Sequence, residues 1–139
     1  GNPALYPLFA HHLPDDIVIV NINPLERDVV PVTPHQIQNR INEISFNSSL
    51  LRELRAISFV QRLLSDGTLS KDHMSRVLVH MIADDELMND LSVATKLVPN
   101  ALVLEKLKAA GQAAADRLLK EHKVDLNNSG TVDLTDMYS

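Results

Sequence analysis

Near the N-terminus the chain carries a β-branched run, Ile17-Val18-Ile19-Val20, framed by Asp16 and by Asn21-Ile22. Continuous rather than alternating apolar character predicts a strand near 16–22 buried on both faces, as in a parallel sheet. A half-buried edge strand is the alternative. Ahead of it lie Pro3, Pro7 and Pro14 around a short apolar piece, where Pro7 is tolerated in the first turn of any helix starting near Pro3. Asn23-Pro24 ends the strand, and a loop follows.

Thr33-Pro34 has the form of a helix start, an N-cap followed by proline at the first helical position. A helix is expected from there to about Ser65, with Ile37, Ile41, Ile44, Leu51, Leu54 and Ile57 as its apolar face. Asp66-Gly67 supplies the stop. The polar stretch Asn42-Glu43-Ile44-Ser45-Phe46-Asn47-Ser48-Ser49 interrupts this helix. It reads either as a polar face near a ligand cleft or as a kink with hydroxyls bonded back to carbonyls. A second strand is predicted over 76–82. Asp84-Asp85-Glu86 suit the start of a short helix reaching about Leu91, and also raise cation binding as an alternative. A further helix over about 101–122 has the stripe Leu102, Leu104, Leu107, Ala110, Ala114, Leu118 and Leu119, and the tail beyond it is polar and turn-rich. No internal repeat is visible.

Strands and helices thus alternate, which is an α/β pattern. Two strands alone are marginal in water. The pattern therefore implies either pairing with another copy or membership of a larger sheet. At 139 residues the chain is about one domain long. Its 45% hydrophobic and 22% charged content suits a folded chain, and with 4% aromatics its core must be aliphatic. Net charge is −5, without a basic stripe, which argues against nucleic acid and against a polybasic membrane surface segment. No apolar run approaches the roughly 18 residues that span a bilayer. The absence of cysteine removes disulfides, thiolate chemistry and Cys-based zinc sites, and it fits a reducing, cytoplasmic setting.

Among chemistry-bearing patterns, the sharpest local one is Asp125, Asn127, Ser129, Asp133 and Asp136, with Gly130 between. These oxygens fall at positions 1, 3, 5, 9 and 12 of a calcium-binding loop. Asp at position 12, Ser at position 5 and the missing exit helix weigh against that reading, and a plain turn after a helix is the alternative. The histidines His11, His12, His35, His73, His80 and His122 form no HExxH pattern. His11-His12 with Asp15-Asp16 raises a metal site, but neighbouring residues point apart. His80 is read as a hydrogen-bonded structural residue rather than a base. The four glycines, Gly1, Gly67, Gly111 and Gly130, are far apart, so there is no nucleophile elbow, P-loop or dinucleotide-binding turn. No cofactor is indicated.

The segments GNPALYPLF, DDIVIVNINP, INEISFNSSLLRELRAISFVQRLL, IADDE and TVDL resemble the C-terminal region of bacterial patatin-like phospholipases. The likeness is to the subgroup with an extra C-terminal region of unassigned function. It covers most of the chain and is most specific over NEISFNSSLLRELR. The resemblance implies an α/β/α sandwich and hydrolysis of lipid esters by a serine–aspartate dyad. The serine of that family lies in G-x-S-x-G and the aspartate in D-G-G or D-G-A. The segment like Gly1-Asn2-Pro3-Ala4 follows the aspartate closely, so the catalytic groups are expected upstream. No catalytic residue is carried onto this chain, and Asn2 and Pro3 flank the last motif. On this view residues 1–67 end a hydrolase domain and 68–139 form a C-terminal extension. The upstream polypeptide is the expected partner, and self-association is expected of the isolated piece. An independent helical interaction module and a calcium-responsive module are the alternatives.

Overall fold

The computed structural model describes residues 4–10, 12–70, 76–91 and 100–138. A 3-10 turn over Tyr6–Phe9 opens the chain, with Pro7 in its first positions. The Glu53 carboxylate accepts from the N–H groups of Leu5 and Tyr6, both at 3.1 Å, and so caps it. Strand β1 (Asp16–Val20) follows, then the 32-residue helix α1 (Pro34–Ser65). Thr33 and Gln36 make the reciprocal capping box at the start of α1: the Thr33 Oγ1 accepts from Gln36 N–H, and Gln36 Oε1 accepts from Thr33 N–H. Gly67, at φ 73°, takes the left-handed conformation just past its end.

Strand β2 (Leu78–Ile82) lies parallel to β1, with Asp16 opposite Leu78 and Val20 opposite Ile82. A parallel pair needs a crossover, and α1 supplies it. Helices α2 (Asp85–Asp90), α3 (Ala101–His122) and α4 (Leu134–Met137) complete the described elements. Asp84 Oδ1 caps α2 by accepting from Leu87 N–H at 3.0 Å, as its place at a helix start predicts. Asn100 caps α3, and Asp133 caps α4.

The sheet separates two layers of helix. Ile17, Ile19 and Val79 meet Leu50, Leu54 and Ile57 of α1 and Leu134 of α4 in one aliphatic cluster, which Leu5 and Val77 complete. On the other face α3 packs against β2 and buries Ala114. The coarse α/β class is therefore as expected, mostly helical around a two-stranded sheet. No described helix is long and apolar enough to cross a membrane.

Three expectations change. The strand buried on both faces is β2, where Leu78, Val79 and His80 are all buried. In β1 only Ile17 and Ile19 are covered, because α3 sits over β2 and leaves Val18 and Val20 47% and 65% exposed. The apolar face of α1 is not one face: Ile41 and Ile44 are each 55% exposed and Ile37 is exposed too, while Glu43 and Asn47 turn inward with Leu50, Leu54 and Ile57. In α3 Leu102, Leu104 and Leu119 are exposed, and Leu107, Ala110, Ala114 and Leu118 face inward.

Candidate functional site

The polar stretch of α1 resolves into a seam. Helical spacing puts Glu43 and Asn47 on one face, one turn apart. That face meets the loop after β1, whose backbone groups have no strand partner and are met by side chains instead. Arg27 from this loop binds the buried Glu43 carboxylate through two donors, Nε at 2.7 Å and Nη2 at 2.6 Å. Arg40 adds a third contact at 3.4 Å and also donates to the Leu25 carbonyl. Asn47 Nδ2 donates to the Pro24 carbonyl at 2.9 Å. Arg27 reaches on to the carbonyl of Asn89 in α2. The Glu43 carboxylate raises the Arg27 pKa, outweighing the opposing effect of burial. So the stretch fastens a loop. Ser48 Oγ does bond back to the Ser45 carbonyl, yet α1 runs through without a break. Burial pushes the Asp85 carboxyl up, against a hydrogen bond from Leu25 N–H and with the support of Glu26 and Asp84.

A second cluster joins the sheet to the C-terminal segment. The His80 ring is fully buried, at 0% exposure. Its Nε2 lies 2.8 Å from Asp16 Oδ1 and its Nδ1 lies 3.1 Å from Thr131 Oγ1. The parallel register makes this pairing possible, since Asp16 sits opposite Leu78 and His80 is two residues on, on the same face. The Asp16 carboxylate also accepts from Asn127 N–H, at 2.9 and 3.1 Å. Burial alone would raise the Asp16 pKa, but the Asn127 N–H and the His80 ring outweigh it and hold the carboxyl below its ordinary value.

Thr131, His80 and Asp16 have the connectivity of a hydroxyl, a base and an orienting carboxylate. Two observations make them a clasp. The imidazole has no exposed surface from which to exchange a proton with a substrate. The N–H groups of Thr131 and Val132 both donate to the Val79 carbonyl, so neither is aimed at a developing oxyanion. His80 is thus a hydrogen-bonded structural residue, as expected.

The residues of the calcium-like loop are divided among other duties. Asp125 binds His122 Nδ1 and the Ser129 hydroxyl. The hydrogen bond from His122, with that from Ser129, lowers its pKa against the effect of desolvation. Asn127 takes the left-handed φ of 63° and gives its N–H to Asp16. Asp133 caps α4 through the N–H groups of Thr135 and Asp136. Asp125 and Ser129 are therefore brought together, whereas Asp133 is turned to its own helix. Among the described residues no three His, Cys, Asp or Glu side chains gather as a metal site. Asn2, Pro3, His11 and His73 lie outside the described residues.

What remains open is one side of the sheet. In a parallel pair alternate residues direct their N–H and C=O to opposite edges. Leu78 N–H donates to the Asp15 carbonyl and Asn21 N–H to the Ile82 carbonyl, so odd-numbered residues of β1 face β2. Val18 and Val20 direct theirs to the outer edge, where no described strand pairs with them. The outer edge of β2 is closed differently: the Val79 carbonyl accepts from Thr131 and Val132, and Gly130 lies against it. Beside the open edge runs a groove of about 380 Å³ between the sheet and α3, lined by Val20, Ile22, Ile82, Met88, Leu107 and Ala110 among others.

No protein family, curated protein or solved structure matches this chain. The site must therefore be interpreted from its own geometry. That geometry offers an apolar surface with a row of backbone donors and acceptors. A β-strand of another segment has the matching chemistry.

Proposed function

We propose that this chain is a non-catalytic scaffold portion of a patatin-like serine hydrolase acting on lipid esters. It supplies strands, crossover helix and covering helices to a larger parallel sheet, and upstream sequence supplies the nucleophile, the oxyanion loop and the catalytic aspartate. The observation that carries this reading is the exposed outer face of β1 and its edge, on which no described strand lies, beside a β2 buried at Leu78, Val79 and His80 and covered at the Val79 carbonyl. The resemblance of the NEISFNSSLLRELR block to that family adds the chemistry. Left alone, such an edge recruits other chains, so the isolated chain self-associates.

The test is labelling with a fluorophosphonate, which reacts covalently with activated serines. The 139-residue chain is expected to stay unlabelled, and the polypeptide extended upstream to be labelled. Stoichiometric labelling of the short chain overturns the reading. A second reading, an independent helical interaction module, is favoured by the exposed ridge Ile37, Ile41 and Ile44 on α1. A cooperatively folded monomer that captures a partner through this ridge would support it over the first.

A further inference from the structure

A different face of α1 carries a concentration of charge that the scaffold role leaves unused. Arg52, Arg55 and Arg62 recur at steps of three and seven, which places them along one side of the helix. Phe59 lies between them, and the Arg62 guanidinium stands 5.8 Å from the centre of its ring. These residues line one groove of about 530 Å³ with Ala56, Ser58 and Tyr138, and among the described residues no acidic side chain lines it. Among the described residues none of the three arginines has an ion-pair partner. The other two arginines in polar clusters, Arg27 and Arg40, are both committed to Glu43.

Three like charges on one helix face repel, and Arg52 and Arg55, three residues apart, are neighbours on it. The chain as a whole is acidic, at −5, so this positive groove is local. Tyr138 closes one wall. Its hydroxyl donates to the Leu51 carbonyl at 2.7 Å, and burial, opposed by Arg55, raises its pKa. Ser58 Oγ is turned to the Leu134 carbonyl. The groove therefore offers guanidinium donors on one helix and, among the described residues, no acceptor side chain that is both charged and near. Guanidinium forks match the oxygens of a phosphate in pairs, which makes phosphate the anion best suited to it.

We propose that the Arg52–Arg55–Arg62 groove is an anion site that takes a phosphate group. The same chemistry is offered by free inorganic phosphate and by the headgroup of an anionic lipid. The proposal is independent of the sheet-completion reading, because the groove is built from α1 and the C-terminal segment alone.

The experiment compares thermal midpoints in inorganic phosphate and in chloride at equal ionic strength. Three chains are used: the unaltered one, R52Q/R55Q, and R117Q/K120Q as a charge-matched control on exposed positions of α3. Phosphate stabilises many proteins through exclusion from their surface, so the comparison between chains carries the answer. The unaltered chain and the control should gain stability with phosphate, and R52Q/R55Q should bind it at least about tenfold more weakly. In a second arm, vesicles of phosphatidylcholine with phosphatidic acid are sedimented beside phosphatidylcholine alone. Cosedimentation that R52Q/R55Q loses assigns the site to a lipid headgroup, and a response to inorganic phosphate only assigns it to the soluble anion. No phosphate or vesicle response, an undiminished response in R52Q/R55Q, or an equal loss in R117Q/K120Q overturns the proposal. Should R52Q/R55Q fail to fold, R62Q is judged on the same readouts.

Discussion

Removing Arg27 should cost more stability than altering the carboxylate it serves. The two side chains are unequally placed: that of Glu43 is 1% exposed and that of Arg27 is 23% exposed. In Arg27→Met the Glu43 carboxylate loses donors at 2.6 and 2.7 Å and keeps Arg40 at 3.4 Å. Taking the principal partner from a buried charge costs about 3 to 5 kcal/mol. The lower end applies here, since Arg40 remains. Losing the bond to the Asn89 carbonyl adds to the cost, by about 1 kcal/mol. In Glu43→Gln the side chain keeps its shape, and Arg27 turns toward water through its exposed part. That change should cost about 1 to 2 kcal/mol. The double variant R27M/E43L removes charge from both sides, and by the same reasoning is less damaged than R27M alone. Urea unfolding at neutral pH, followed by far-ultraviolet circular dichroism, ranks the three. For a chain whose whole stability is about 5 to 15 kcal/mol, differences of this size move the midpoint clearly. If R27M costs no more than E43Q, or if R27M/E43L is damaged as much as R27M alone, the seam is not held by a buried carboxylate.

The glycines give a matched pair. Gly130→Ala puts a Cβ 3.1 Å from Val79 N and 3.3 Å from Val79 O, both backbone atoms of a buried strand, and should lower the melting midpoint. Gly111→Ala meets nothing within 4 Å in the middle of α3 and should raise stability by up to about 1 kcal/mol. The Asp16 carboxyl is held below its ordinary value, so its contribution is present above the unfolded-state pKa of about 4 and fades as pH falls through the folded one. The stability gap between the unaltered chain and D16N should therefore be full at neutral pH and close in acid, as urea midpoints over a pH series will register. Ile41→Gln should change stability by less than about 0.5 kcal/mol, whereas Leu54→Ala, at a fully buried position, should cost about 2 to 5 kcal/mol. Comparable losses in the two would restore the single apolar face that α1 lacks.

That last contrast shows where the sequence is legible. Thr33-Pro34 and Asp66-Gly67 are local signals, and both ends of α1 fall where they indicate. The course of α1 between them is not local. At about 100° per residue, Ile44 and Ile57 point about 140° apart, so a list of apolar residues at helical steps drifted off a single face. The stripe that does face inward runs Glu43, Asn47, Leu50, Leu54, Ile57. It begins polar because its first half meets a loop and its second half meets a sheet, and only the folded chain shows which. His80 is a similar case. Its type and place in a strand suggested a buried hydrogen-bonded residue, but Asp16 lies 64 positions away and Thr131 51 positions away. No spacing rule connects them. The arginines of α1 form no basic stripe visible along the sequence; Arg52, Arg55 and Arg62 share one groove only once the fold brings Tyr138 beside them.

The asymmetry of the two strands bears on which way a larger sheet can grow. Proteins guard a true edge with charge, proline, a bulge or a covering loop. At Val79 the edge of β2 is guarded in the last way: Thr131 and Val132 bond to the Val79 carbonyl, and Gly130 lies close against the Val79 backbone. In β1 the exposed residues past Asp16 are Val18 and Val20, without lysine, proline or an inward charge. A guard on β2 and, among the described residues, none on β1 is costly for a protein that works as two strands, because β1 then invites aggregation. The same arrangement is economical for a sheet that ends at β2 and continues past β1. Lysines introduced at the two open positions discriminate between these cases. V18K/V20K should make the isolated chain more monomeric in either case, and should impair assembly with an upstream segment only if the sheet continues through β1.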